Sequence, residues 1–138
     1  MNGILLVEDN QADALLIQEA LRQASVHHAV ERVADGELAL QRLRGEGPRP
    51  GLVLLDLNLP RKDGRAVLAE LKADPDLCTI PVIVLTTSSA PADIAFAYEN
   101  HANSYVRKPL GLDALVEAAQ AIRDFWLRTA TPPAAAGL

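Results

Sequence analysis

Short apolar runs alternate with amphipathic stretches along this chain, and the alternation repeats five times. Ile4-Leu5-Leu6-Val7, Leu52-Val53-Leu54-Leu55 and Val82-Ile83-Val84-Leu85 contain no polar position, as expected of strands buried on both faces. Strands are predicted at 4–7, 29–33, 52–55, 82–85 and 104–106. Helices are predicted at about 12–24, 36–44, 65–72, 92–100 and 112–127. In the first helix Ala14, Ile17, Leu21 and Ala24 recur at three-and-four spacing, which builds one buried stripe. Leu112, Leu115, Ala119, Ile122 and Trp126 do the same in the last. The segment from Gly45 to Gly51, with Pro48 and Pro50, cannot continue a helix. Asp74-Pro75 stops the third helix, and Ser88-Ser89-Ala90-Pro91 offers capping hydroxyls and a first-turn proline to the fourth.

Strands that alternate with helices imply right-handed crossovers and a parallel sheet. The expected class is α/β, a doubly wound five-stranded parallel sheet of order 2-1-3-4-5, with ligands at the switch point between strands one and three. Residues 1–128 would form this one domain. Residues 129–138, uncharged and without period, would be a flexible C-terminal tail or the stub of a linker.

Composition sharpens the picture. Of 138 residues 49% are apolar, enough to cover a sheet on both faces. A net charge of −5 argues against nucleic acid as a partner, since binding to a phosphate backbone calls for a basic stripe. The single cysteine, Cys78, cannot form an internal disulfide, and the amino terminus runs directly into a strand with no long apolar segment. A cytoplasmic setting without membrane contact is the expectation.

The strand ends carry the chemistry. Glu8-Asp9 closes the first strand, Asp56 the third, and Lys108-Pro109 follows the fifth. In a parallel sheet all carboxyl ends share one edge, so three carboxylates and one ammonium could meet in a single pocket. Asp56 follows four apolar residues, where a carboxylate is costly unless paired or bound to metal. Asp9 or Asn10 could instead simply cap the first helix. Three carboxylates side by side repel one another and call for a cation, and Mg²⁺, which prefers oxygen ligands, fits best. Asn58 lies close enough to lend an oxygen to the same ion. His27 and His28 are adjacent and His101 is remote, so zinc-type spacing is absent. Pro60 and Gly64 shape the loop after Asp56, one by fixing φ and the other by permitting positive φ. Thr86 ends the fourth strand and is best placed among Thr86-Thr87-Ser88-Ser89 to reach a phosphate on Asp56. Tyr105 could turn its ring inward or outward, and a cis Lys108-Pro109 bond would turn the lysine inward.

The ordered set Val7-Glu8-Asp9-Asn10, Asp56-Leu57-Asn58-Leu59-Pro60 with Gly64, Thr86-Thr87-Ser88, and Tyr105 ahead of Lys108-Pro109 resembles a response-regulator receiver domain over nearly the whole chain. Many receivers carry Asp-Asp where this chain has Glu8-Asp9. The resemblance implies a flavodoxin-like fold in which Asp56 accepts the phosphoryl group. Asp9, Asp56 and the Asn58 carbonyl would bind Mg²⁺, with Glu8 assisting through water. Thr86 and Tyr105 would form the switch pair, and Lys108 would clamp the phosphate. The opening Val7-Glu8-Asp9-Asn10-Gln11-Ala12-Asp13, the run Asn103 to Pro109 and the closing Phe125-Trp126 are further similar to stand-alone receivers serving phytochrome-type histidine kinases.

The implied reaction moves a phosphoryl group from a sensor histidine kinase, or a phosphotransfer protein of a phosphorelay, onto Asp56, and hydrolysis by the chain itself later removes it. Phosphorylation would reshape the surface of the fourth helix, fifth strand and fifth helix, where a homodimer is expected. Phe125 and Trp126 either belong to that surface or complete the core. Signalling would pass through a partner, a dimer or a relay. An aspartyl-phosphate phosphatase would show Asp-x-Asp after the first strand and turn over free phosphate esters. A receiver-like binding module would lack Asp56, Asp9, Thr86 or Lys108, and a nucleotide-binding domain would need a glycine-rich loop after the first strand.

Overall fold

The computed structural model describes residues 3–131. Five strands, β1 (Ile4–Val7), β2 (Val30–Val33), β3 (Leu52–Leu55), β4 (Val82–Thr86) and β5 (Ser104–Arg107), alternate with five α-helices. These are α1 (Gln11–Gln23), α2 (Gly36–Arg44), α3 (Gly64–Ala73), α4 (Pro91–Glu99) and α5 (Leu112–Ile122). The sheet is wholly parallel with order β2-β1-β3-β4-β5, as the sequence pattern predicts.

The side-chain period of a strand divides the interior in two. Leu5, Val7, Val53, Leu55, Val82 and Val84 face one side and pack on Leu40 and Leu43 of α2 and Val67, Leu68 and Leu71 of α3. Ile4, Leu6, Leu52, Leu54, Ile83 and Leu85 face the other and meet Ala14, Ile17 and Leu21 of α1 and Leu115, Ala119 and Ile122 of α5. Slipping one strand by a single residue would turn its whole set to the wrong face, so two cores together lock the register. In that register Val7 lies beside Leu55, and Thr86 beside Arg107. Glu8, Asp56 and Lys108, each next along its strand, therefore arrive at one edge.

Element ends hold three corrections. The last helix does not run to 127 in one form: the α-helix closes at Ile122 and Arg123–Thr129 continues as a wider π-helical segment. There the Ala130 amide reaches back to the Phe125 carbonyl, Thr129 Oγ1 donates to the Asp124 carbonyl at 2.7 Å, and the Arg123 guanidinium donates to the Ala24 carbonyl. No hydroxyl caps α4, whose capping residue is Ala90; Ser88 Oγ instead donates to Asp93. Gly64 does not have positive φ; it begins α3, where a Cβ would sit 2.1 Å from the Asp56 carbonyl oxygen and 2.6 Å from Leu57 Cα. Its bare Cα is what lets the helix start lean on the loop after Asp56. The expected C-terminal tail, from 132 onward, lies outside the described residues.

Gly64→Ala is expected to destabilise the fold by about 3 kcal/mol, because backbone must yield to the added methyl. Urea unfolding of the two proteins measures it, and an unchanged midpoint would contradict the close approach.

Candidate functional site

The carboxyl edge of the sheet gathers the charges. Glu8 and Asp56 are buried, Asp9 is exposed, and one oxygen of each carboxylate lies within 4.8 Å of the others. Asn10 caps α1 by accepting from the Asp13 amide at 2.9 Å, which leaves Asp9 free of that duty. The Asn10 amide in turn donates to Glu8 Oε2 at 3.2 Å, and the Asn58 amide donates to Asp56 Oδ1 at 3.2 Å.

Lys108 closes the group from β5. Its side chain is 8% exposed, and Nζ lies 2.5 Å from Glu8 Oε1, 3.4 Å from Asp56 Oδ2 and 3.5 Å from Asp13 Oδ2. No cis peptide bond occurs among the described residues, so that alternative for Lys108-Pro109 falls away. The lysine turns inward anyway, with its amide bonded to the Thr86 carbonyl at 2.6 Å as a continuation of the β4–β5 ladder.

Burial pushes the Glu8 carboxyl above its ordinary range; the bonds from Lys108 and the Asn10 amide only partly offset this, and neighbouring Asp56 adds to it. Burial also works against the Lys108 ammonium, but the hydrogen bond to Glu8 and the charges of Asp56, Glu8 and Asp13 outweigh it and hold the lysine protonated. One ammonium thus serves Glu8, Asp13 and Asp56, and Asp9 brings a fourth carboxylate to the same edge. An all-oxygen, excess-negative donor set suits a hard divalent cation. Glu8, Asp9 and Asp56 could hold it.

Thr86 is fully buried at the end of β4, and its Oγ1 accepts from the Ser88 amide at 3.5 Å. The half-buried Tyr105 ring packs on the α2–α3 side of the sheet, with its hydroxyl donating to the Ser88 carbonyl at 2.8 Å. Pro60 is exposed on the loop after Asp56, and Pro109 is half-buried.

Several participants escaped the sequence reading. Asp13 reaches Lys108 from the first turn of α1, the same face as the pocket. Arg32 on β2 donates to the Glu8 carbonyl at 3.0 Å and the Asp9 carbonyl at 2.9 Å. Arg65 at the start of α3 grips Asp93 of α4 with two bonds of 2.9 Å, and Ser88 Oγ joins the same carboxylate at 2.5 Å. Hydrogen bonds from Arg65 and then Ser88 hold the Asp93 carboxyl below the ordinary range. Spacing offered a signal only for Asp13, one helical turn beyond Asp9.

A doubly wound parallel sheet with an acidic pocket and an inward lysine at its switch point defines a class of α/β domain whose polar site lies at the carboxyl edge of the sheet. The family model for the response regulator receiver domain matches residues 4–120, and the chain belongs to that family: it is a receiver domain of a two-component response regulator. Among its relatives, response regulator Rcp1 of Synechocystis sp. (strain ATCC 27184 / PCC 6803 / Kazusa) is 50% identical over 137 residues, covering 96% of this chain and 93% of that protein. The crystal structure of the Mn²⁺-bound form of Rcp1 superposes with TM-score 0.88 at 48% identity, over 97% of this chain and 100% of that one. The phosphorylated cyanobacterial phytochrome response regulator RcpA gives TM-score 0.90 at 51% identity, over 96% and 99%. RPA3017, in red light signaling of R. palustris, gives 0.90 at 35% identity, over 97% and 99%. Among the described residues no helix is long and apolar enough to cross a membrane.

Lys108→Met is expected to cost about 3 kcal/mol of stability in metal-free protein, since it strands buried Glu8 and Asp56 without a counter-charge. Chemical denaturation with and without Mn²⁺ measures it. A cation that restores part of the loss would confirm that charge, and not packing, is at stake.

Proposed function

We propose that the chain accepts a phosphoryl group on the Asp56 carboxylate from the phosphohistidine of a sensor histidine kinase, in a cytoplasmic two-component system or phosphorelay. The observation that carries this reading is the placement of Asp56: buried, at a strand end, with Lys108 Nζ 3.4 Å from one oxygen and two further carboxylates beside it. The P–N bond to the kinase imidazole breaks, a P–O bond to Asp56 forms, and the departing imidazole retains its electron pair and takes up a proton. The Asp56 carboxylate is the nucleophile, with Lys108 Nζ beside it. The Asn58 amide, bonded to Oδ1, fixes which way the carboxylate faces.

Asp9, Asp56 and the Asn58 carbonyl would hold Mg²⁺, with Glu8 assisting through water. The convergence of unbalanced oxygens supports that choice, as does the Mn²⁺-bound form of Rcp1. When bound, the cation neutralises charge on the transferred phosphoryl oxygens. Lys108 exchanges part of its carboxylate contact for a phosphoryl oxygen, acting as a point charge. Water later attacks the acyl phosphate, releasing inorganic phosphate and returning the carboxylate.

Phosphorylation adds close to two negative charges at the pocket. Thr86 and Tyr105 would respond, the buried hydroxyl moving toward the phosphoryl oxygens and the ring following. Because Tyr105 bonds to Ser88, that movement reaches α4 through the β4–α4 loop. The surface of α4, β5 and α5 would carry the signal to a partner or a second copy. Exposed Tyr98 supports this, together with Phe125 just beyond α5, 53% exposed and edge-on to Trp126. A phytochrome-type kinase is the proposed donor, supported by the likeness to RcpA.

Intact-protein mass after acetyl phosphate treatment tests the reaction. Wild type with Mg²⁺ is expected to gain one phosphoryl group of about 80 Da, by the addition of HPO₃ to a carboxylate, and to lose it on standing. Asp56→Asn is expected to gain nothing, and so is wild type in EDTA. A gain on the asparagine variant, or none on metal-loaded wild type, would remove Asp56 as the acceptor.

A further inference from the structure

Beyond the end of β1 the chain must carry two acidic side chains into the pocket without a ladder to hold it. The Glu8 amide still bonds to the Val33 carbonyl at 3.1 Å, but the next two carbonyls, those of Glu8 and Asp9, lie past the last paired residue of β2. Arg32 takes both. Its Nε donates to the Glu8 carbonyl at 3.0 Å and its Nη2 to the Asp9 carbonyl at 2.9 Å. Among the described residues no carboxylate lies within ion-pair distance of this guanidinium, so its contacts here are to main chain.

We infer that Arg32 is a positioning residue for the cation site: by pinning two successive carbonyls toward β2 it fixes the peptide planes from which the Glu8 and Asp9 carboxylates project. The inference rests on the reading of Glu8, Asp9 and Asp56 as the cation-binding group. Groups that orient ligands from behind commonly matter about 10–100-fold in metal affinity. A planar fork with donors at fixed separation can bridge two carbonyls at once; a lysine ammonium, a single point on a flexible stem, cannot hold both in the same geometry. Arg32 touches neither the acceptor carboxylate nor Lys108, which separates it from the reacting atoms.

Charge and position predict opposite signs, and this makes the inference testable. A guanidinium behind the pocket repels an incoming cation, so if its charge were all that mattered, Arg32→Gln would tighten binding and Arg32→Lys would leave it unchanged. If position matters, both variants weaken binding despite the charge retained in the lysine. Electron paramagnetic resonance of free Mn²⁺ gives the affinity directly, for wild type, Arg32→Lys, Arg32→Gln, Asp9→Asn and, as a control that bonds Glu31 of the same strand from α2, Arg42→Lys. Circular dichroism melts establish that each is folded. The expected result is binding about tenfold or more weaker in both Arg32 variants, unchanged in Arg42→Lys, with the extent of acetyl phosphate labelling recovered at saturating Mg²⁺. Wild-type affinity in Arg32→Lys would overturn the inference alone. If wild type bound no Mn²⁺ that Asp9→Asn abolishes, the cation site and the inference would fall together.

Discussion

Burying charge at the end of a hydrophobic sheet is the constraint from which the rest of this structure follows. Each ion withdrawn from water costs several kcal/mol, and attraction repays that only where the geometry is good. Here Lys108, Glu8 and Asp56 all lie beneath the surface, and a single ammonium serves several carboxylates. The arrangement holds because β1, β3, β4 and β5 fix their relative register through two separate cores, one on each face. A shift of one residue in β1, β3 or β4 would turn its leucines and valines toward the wrong core and pull the charged strand ends out of line. Packing and electrostatics are thus two consequences of one register, and the charge cluster persists because the apolar interior leaves it no cheaper arrangement.

A second set of polar contacts joins the loops around that cluster. Arg65 spans from α3 to Asp93 of α4, Asp93 binds Ser88, and the Ser88 carbonyl receives the Tyr105 hydroxyl. Arg65 also leans on the Leu57 carbonyl, one residue beyond Asp56. The chain of contacts therefore begins and ends beside residues proposed to change on phosphorylation, Asp56 at one end and Tyr105 at the other. It leaves Thr86 outside, with one long bond from the Ser88 amide. A buried hydroxyl with so slight an engagement is free to seek a stronger acceptor, whereas Ser88 Oγ already serves Asp93.

What could be read from the sequence depended on periodicity and on anomaly. Two-sided burial followed from unbroken apolar runs, and strand order from their alternation with helices. Asp56 stood out because it ended such a run, and Lys108 because it followed a strand and preceded a proline. Arg32, Arg65 and Asp93 carried no such mark: each occupies an ordinary polar position on a helix or strand, and only the fold determines what it faces. Gly64 was noticed for the wrong property. A glycine at a helix start serves conformational freedom and close approach equally well on paper, and the nearness of the Asp56 carbonyl decides for the latter. The hydroxyl run before α4 offered several caps of similar merit, and a competing carboxylate, Asp93, took the serine. The π-helical segment after Ile122 had no warning, since Phe125 and Trp126 fit the apolar stripe of a continuing α-helix.

The helices are not anchored alike, and the difference bears on how a local event could be felt elsewhere. α1, α2, α3 and α5 each set three or more buried side chains against the sheet, whereas α4 buries only Ala97 and leaves Tyr98 exposed. Few buried contacts mean a low free-energy cost of displacement. What holds α4 instead is directional: the Arg65–Asp93 pair at its start, Tyr98 accepting from the Tyr105 amide at 3.2 Å near its end, and the Ala102 amide bonded to the Ala97 carbonyl. Directional bonds are lost over short distances, unlike the gradual loss of apolar contact, so a helix held this way tends toward two positions rather than a continuum. Loose packing and a few polar ties thus make α4 the element best suited to move when charge at the neighbouring strand ends changes.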